Sequence, residues 1–181
     1  MSEPDVNVLF KELVEYAQTT YGVQVISKRK YYTFWKTLSV LLKILSFGKM
    51  TTFMTHYTTT IGPIIAFPVN WNPNKINKYL YVTLRHELKH VEQYAHAGAG
   101  NVWLGTLLAG FAYLFLPFPI FFAWFRYKME REAYLESYRA AKECGYVPNV
   151  KHYIDVLTGS DYLWTWIFKD SVTKWFNKNC T

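Results

Sequence analysis

The sequence predicts an α+β fold, mostly helical, with a small antiparallel sheet or hairpin just ahead of one central helix. Three observations predict it. Apolar residues recur at helical spacing near residues 5–20, 33–47, 76–97 and 127–144. Residues 52–68 are instead rich in Thr, Tyr, Phe and Ile and are divided by Gly62-Pro63, the pattern of strands around a turn. Glycines stand where the helical patterns stop, at Gly22, Gly98, Gly100 and Gly145.

The chain of 181 residues is 51% apolar, with seven Trp, fifteen Tyr and thirteen Phe, so it is neither too short nor too polar to build a core. One domain over residues 1–181 is expected. The net charge of +7 is spread as single Lys and Arg residues, which suits an anionic surface. No nucleic-acid motif accompanies it, and nucleic acid is not expected as a partner. Only Cys144 and Cys180 occur, so a disulfide framework and a Cys-based zinc site are both unexpected. The start, Met1-Ser2-Glu3-Pro4-Asp5, has no apolar segment of a secretory signal after it, and a cytoplasmic location is expected.

The elements follow in order. Val6, Leu9, Phe10, Leu13, Val14 and Ala17 mark the first helix, ended by Gly22. Val23 to Ile26 alternates as a short strand. Residues 33–47 form a second helix, with Lys36 and Lys43 beside its apolar side chains; it fits either a core or a membrane surface. Two strands are expected near 52–60 and 64–68. After the loop Trp71-Asn72-Pro73-Asn74, a helix runs from about Ile76 to Ala97. Residues 102–125 hold twenty-four residues without a charge, long enough to span a bilayer, but Pro117 and Pro119 interrupt them. A hairpin bent at Leu116-Pro117-Phe118-Pro119 is expected, either buried or dipping into a membrane. Tyr127 to Cys144 is a helix, His152 to Leu157 a short one, and Asp161 to Asn177 a closing one.

Within the central helix lies Arg85-His86-Glu87-Leu88-Lys89-His90. His-Glu-x-x-His places two imidazoles four residues apart on one helix face, where both reach one metal ion, with Glu87 beside them to handle a metal-activated water. The plain alternative is a charged helix. With five His in the chain, shuffling gives the pattern in roughly 1% of cases, which favours the metal.

A catalytic zinc needs a third protein ligand. Glu130, in Met129-Glu130-Arg131-Glu132-Ala133-Tyr134, lies on a later helix. His-Glu-x-x-His followed by helical Glu-x-x-Ala resembles the gluzincin type of zinc metallopeptidase. The longer strings around His86–Tyr94 and Glu130–Tyr134, with Tyr57-Thr58-Thr59-Thr60-Ile61-Gly62, resemble small metallopeptidases of bacteria and phages. The resemblance covers roughly residues 51–140. It implies a minimal zincin-like domain, a Zn2+ cofactor held by His86, His90 and Glu130, and a peptide or protein substrate. It departs at Tyr134, where the family often has an Asp that orients a ligand His; a Tyr hydroxyl is the expected substitute. Glu132 is the fallback ligand, pointing about 200° away around the helix. His96 stands where metzincins place a third His, but Gln93 replaces the Gly that would break the helix. On an unbroken helix His96 is about 15 Å from His86.

The implied chemistry is peptide hydrolysis, with Glu87 as general base. Tyr134, Tyr138, His152 and Tyr153 are the candidate oxyanion donors. The competing expectation is a membrane-associated or assembly protein in which residues 102–125 carry the function and the metal is incidental or absent. Its location would be a membrane or, through the phage resemblance, a virion.

Overall fold

A computed structural model describes residues 4–45, 48–115, 119–159 and 165–180. It is a mostly helical α+β fold. The elements are α1 (Val6–Tyr21), β1 (Gln24–Ser27), α2 (Tyr32–Leu45), β2 (Thr59–Ile61), β3 (Ile64–Phe67), α3 (Lys78–Ala97), α4 (Val102–Phe115), α5 (Pro119–Glu143), α6 (Val150–Leu157) and α7 (Lys169–Asn179). A 3₁₀ turn, Thr165–Phe168, precedes α7.

Local chemistry sets the ends. Asp5, Asn77 and Asn149 each cap a helix by accepting a backbone N–H. Gly22 closes α1 in the left-handed conformation (φ 67°), its N–H reaching back to Ala17 and Gln18. α3 is the hub: α1, α4, α5, β2 and β3 all pack on it.

The sheet has the order β1-β3-β2. β2 and β3 form the antiparallel hairpin expected around Gly62-Pro63, with Thr60 opposite Ile65. β1 joins β3 in parallel, with Val25 opposite Ile65. The sheet is therefore mixed: β2, the first strand after α2, runs opposite to β1, and the hairpin turns β3 back into the direction of β1. Alternation sorts the side chains. Ile65 and Phe67 join Phe10, Leu84, Leu88 and Val91 in one core, while Ile26 and Ala66 face Trp35, Phe53 and Met54 in another.

Residues 52–58 do not extend β2 as expected. They form turns around Lys28, which is fully buried. Its ammonium donates to the carbonyls of Phe53 and Tyr57, each at 2.7 Å, and lies 3.6 Å from the centre of the Phe53 ring. Carbonyls engaged by a lysine are not free for a strand ladder.

The helix expected over Tyr127–Cys144 begins earlier, within the uncharged stretch: α5 is one helix from Pro119 through Glu143. Its first turn begins at a proline, where the missing N–H has no helical partner to lose. The bend expected at 116–119 falls mainly on residues 116–118, outside the described residues. Asp161–Trp164 of the expected closing helix also lie outside them; that helix begins at Lys169, after the 3₁₀ turn.

Gly98 and Gly105 let α4 cross the end of α3 closely. A Cβ on Gly105 would lie 1.7 Å from the Tyr94 carbonyl oxygen. Among the described residues, no helix is long and apolar enough to cross a membrane.

Candidate metal centre

α3 and α5 run antiparallel, as their paired side chains show. Tyr81 meets Glu143, Arg85 meets Glu136, His86 meets Ser137, and Gln93 meets Glu132. Arg85 is the main tie, 2.8 Å from Glu136 and 3.4 Å from Glu143. Leu84, Leu88 and Val91 anchor the opposite side of α3 in the core. This fixes both the rotation and the register of the helix that carries the two histidines.

The crossing brings His86, His90 and Glu130 together. One ligand atom from each lies within 4.8 Å of the others. Glu130 Oε2 is 3.5 Å from His86 Nε2 and 3.7 Å from His90 Nε2. The side chains are 14%, 10% and 12% exposed, in the order His86, His90, Glu130, so the group is largely dry. Around a tetrahedral zinc, neighbouring N and O ligands are about 3.4 Å apart, given bonds of about 2.0–2.1 Å. Two imidazole nitrogens and one carboxylate at these spacings can hold a metal ion and leave a coordination position open.

The far nitrogens of both rings are occupied. His86 Nδ1 is 3.1 Å from Ser137 Oγ, and that hydroxyl donates its proton to the Ala133 carbonyl. Ser137 therefore accepts from His86 Nδ1–H. His90 Nδ1 is 3.1 Å from Gln93 Oε1. The Gln93 amide donates to Met129 O at 3.0 Å and to Glu132 Oε2 at 3.1 Å, which turns its oxygen toward His90. Both rings thus have an acceptor at Nδ1 and turn Nε2 toward Glu130, so each Nε2 can give up its proton and serve as a metal ligand.

Burial pushes the Glu130 carboxyl up, but the positive charge of His90, the hydrogen bond and charge of His86, and Arg126 outweigh it and hold it at about 2. Burial pushes His86 down, and the hydrogen bond and charge of Glu130, with Glu87, reverse this to a net rise. The carboxylate is ionised across the physiological range, ready for a proton on His86 or for a metal ion.

Glu87 follows His86 on α3 and leans toward the sheet. Its Oε2 accepts a 2.7 Å hydrogen bond from Thr60 Oγ1 on β2. Tyr134 sits one turn after Glu130, its ring edge-on to His86 with centroids 4.7 Å apart. The orienting hydrogen bond expected of Tyr134 is made to His86 by Ser137 instead. Of the other candidate donors, Tyr138 gives its hydroxyl to the Cys180 carbonyl, Tyr153 is buried against Phe176, and His152 is exposed on α6. Glu132 is not in the group; it supports His90 through Gln93. His96 is exposed in the last turn of α3.

Ser137 and Gln93 were missed in the sequence. A signal existed: 86, 90 and 93 on α3, and 130, 134 and 137 on α5, are both i, i+4, i+7 stripes.

The fold and site thus define an α+β chain with a His/His/Glu group that could hold a metal ion. Comparisons with protein-family models, curated proteins and solved structures find no match to this chain.

Proposed function

We propose that this protein is a zinc-dependent metallopeptidase, with His86, His90 and Glu130 as the zinc ligands and Glu87 as the general base. One observation carries it. Three side chains able to ligate a metal, from two helices, converge within 4.8 Å, and Ser137 and Gln93 engage Nδ1 of the two imidazoles so that each Nε2 faces Glu130. A charged helix face with no metal has no need of that support.

Zinc at this group supplies a Lewis acid that brings the pKa of a water molecule toward neutrality. Glu87 takes one proton from the water as its oxygen joins the peptide carbonyl carbon. Thr60 holds the Glu87 carboxylate through Oε2 and leaves the other oxygen for that proton. Glu87 then gives the proton to the departing amine as the C–N bond breaks, leaving a carboxylate and an amine product. Tyr134 is the proposed donor to the oxyanion, the one of the four candidates that packs on a ligand ring.

β2 supports a peptide as the substrate. It is an edge strand, with a strand neighbour on one side only among the described residues. Its Thr60 binds Glu87, so an extended chain paired along β2 would pass beside the base.

The test is hydrolysis of unfolded casein and of quenched fluorescent peptides by zinc-loaded protein. Cleavage by the wild type, lost in Glu87→Gln with zinc content unchanged, supports the reading. Zinc retention with no cleavage of any peptide by the wild type makes the site a non-catalytic one.

A further inference from the structure

The outward face of α4 is built the reverse of a helix meant for water. No charged residue stands between Asn101 and Arg126. Over residues 102–110 of α4 the buried positions are Val102, Gly105 and Ala109, whereas Trp103, Leu104, Leu107 and Leu108 are 50%, 47%, 69% and 50% exposed. These four fall at i, i+1, i+4 and i+5, one continuous stripe. α4 cannot roll to bury them, because Gly105 is pressed against the backbone of Tyr94. An exposed apolar stripe of this kind marks an interaction surface.

One border of it is basic, at Lys128. Trp124 on α5 is 40% exposed, and Lys128 Nζ lies 4.9 Å from the centre of its ring. Lys128 also lines a cleft of about 270 Å³ with Leu108, Ala109, Phe125 and Met129, so this cation adjoins the stripe. Glu132 lines the same cleft, with its carboxylate held by Gln93.

We propose that this face docks on an anionic lipid bilayer, with α4 lying in the interface rather than crossing it. α4 has 14 residues. At 1.5 Å each that is about 21 Å, short of a hydrocarbon core of about 30 Å. Half-exposed Trp beside Leu is the composition of the bilayer interface. The net charge of +7 attracts an anionic leaflet and repels a second copy of this chain, which selects lipid over self-association. The inference does not rest on the metal group being catalytic.

The test is co-sedimentation of the full chain with vesicles of phosphatidylcholine alone or with about 30% phosphatidylglycerol. Binding is expected to rise with the anionic lipid and to fall with salt, with a blue shift of Trp fluorescence. Leu104→Gln combined with Leu107→Gln is expected to cut partition by about tenfold, with the circular dichroism spectrum and thermal midpoint unchanged, because both side chains are exposed. Lys128→Gln, a second variant, is expected to weaken binding to the anionic vesicles alone. Absence of binding to either vesicle, or equal binding by the leucine variant, overturns the proposal. A dimer dissolved by the leucine variant, with no vesicle binding, assigns the face to a second copy instead.

Discussion

Gln93 Oε1 lies 3.1 Å from His90 Nδ1, while the same amide donates to Met129 O and Glu132 Oε2. His90 on α3 is thereby oriented through Gln93 by groups on α5. Replacing Gln93 with Leu removes the acceptor and frees the ring to rotate. Metal affinity is expected to fall about 10–100-fold, the usual cost of losing such support. Ser137→Ala should do the same through His86. Competition with a chromophoric chelator measures both; an unchanged affinity would leave these contacts without a role in binding.

The three carboxylates near the histidines separate by role. Glu130→Gln is expected to abolish stoichiometric metal binding, and Glu132→Gln to weaken it only as far as Gln93→Leu does. Glu87→Gln is expected to keep the metal. His96→Ala should have no effect, since His96 is exposed at the end of α3. Metal loss in His96→Ala with retention in Glu130→Gln would reverse the ligand assignment.

How much of this was legible beforehand varies with the range of the contact. α1, α3 and the later part of α5 are readable because apolar spacing and terminal glycines are local signals. The hairpin around Gly62-Pro63 is local too. The parallel pairing of β1 with β3 joins residues forty apart, and nothing in either strand encodes it. The turn at residues 52–58 depends on Lys28, a residue that reads as a surface cation until it is found buried. His86, His90 and Glu130 stand out because their spacing is a chemical requirement of a metal. Ser137 and Gln93 do not, because hydrogen-bonding residues on helices are common and only the α3–α5 crossing gives them a partner.

Lys28 makes a pH prediction. Burial lowers its ammonium pKa from 10.5 to about 8, against the attraction of Glu87. The folded-state pKa is below the unfolded one, so the native state binds fewer protons between those values. Stability from this group is fully present above the unfolded pKa and is lost as pH falls through about 8. Denaturant unfolding of wild type and Lys28→Met across pH 8 to 9.5 should show a rising stability in the wild type that the variant lacks. Parallel pH profiles would contradict this.

Gly105 tests the α3–α4 crossing. A Cβ there would lie 1.7 Å from Tyr94 O, a backbone atom that cannot step aside. Gly105→Ala is expected to destabilise the fold by about 1–3 kcal/mol or more, despite the better helix propensity of Ala. Gly110→Ala, with nothing within 4 Å, is the control and should be neutral or stabilising. Equal thermal midpoints for the two would mean that α4 does not pack as closely as described.

The most direct measurement of the metal centre is the zinc content of protein purified without a metal-binding tag, by elemental analysis of the wild type, His90→Ala and Glu130→Gln. With His86, His90 and Glu130 as one site, the wild type should carry about one zinc per chain and both variants close to none, with their helical content intact. A wild type that binds no stoichiometric metal, or variants that keep it, would contradict a zinc site at this group.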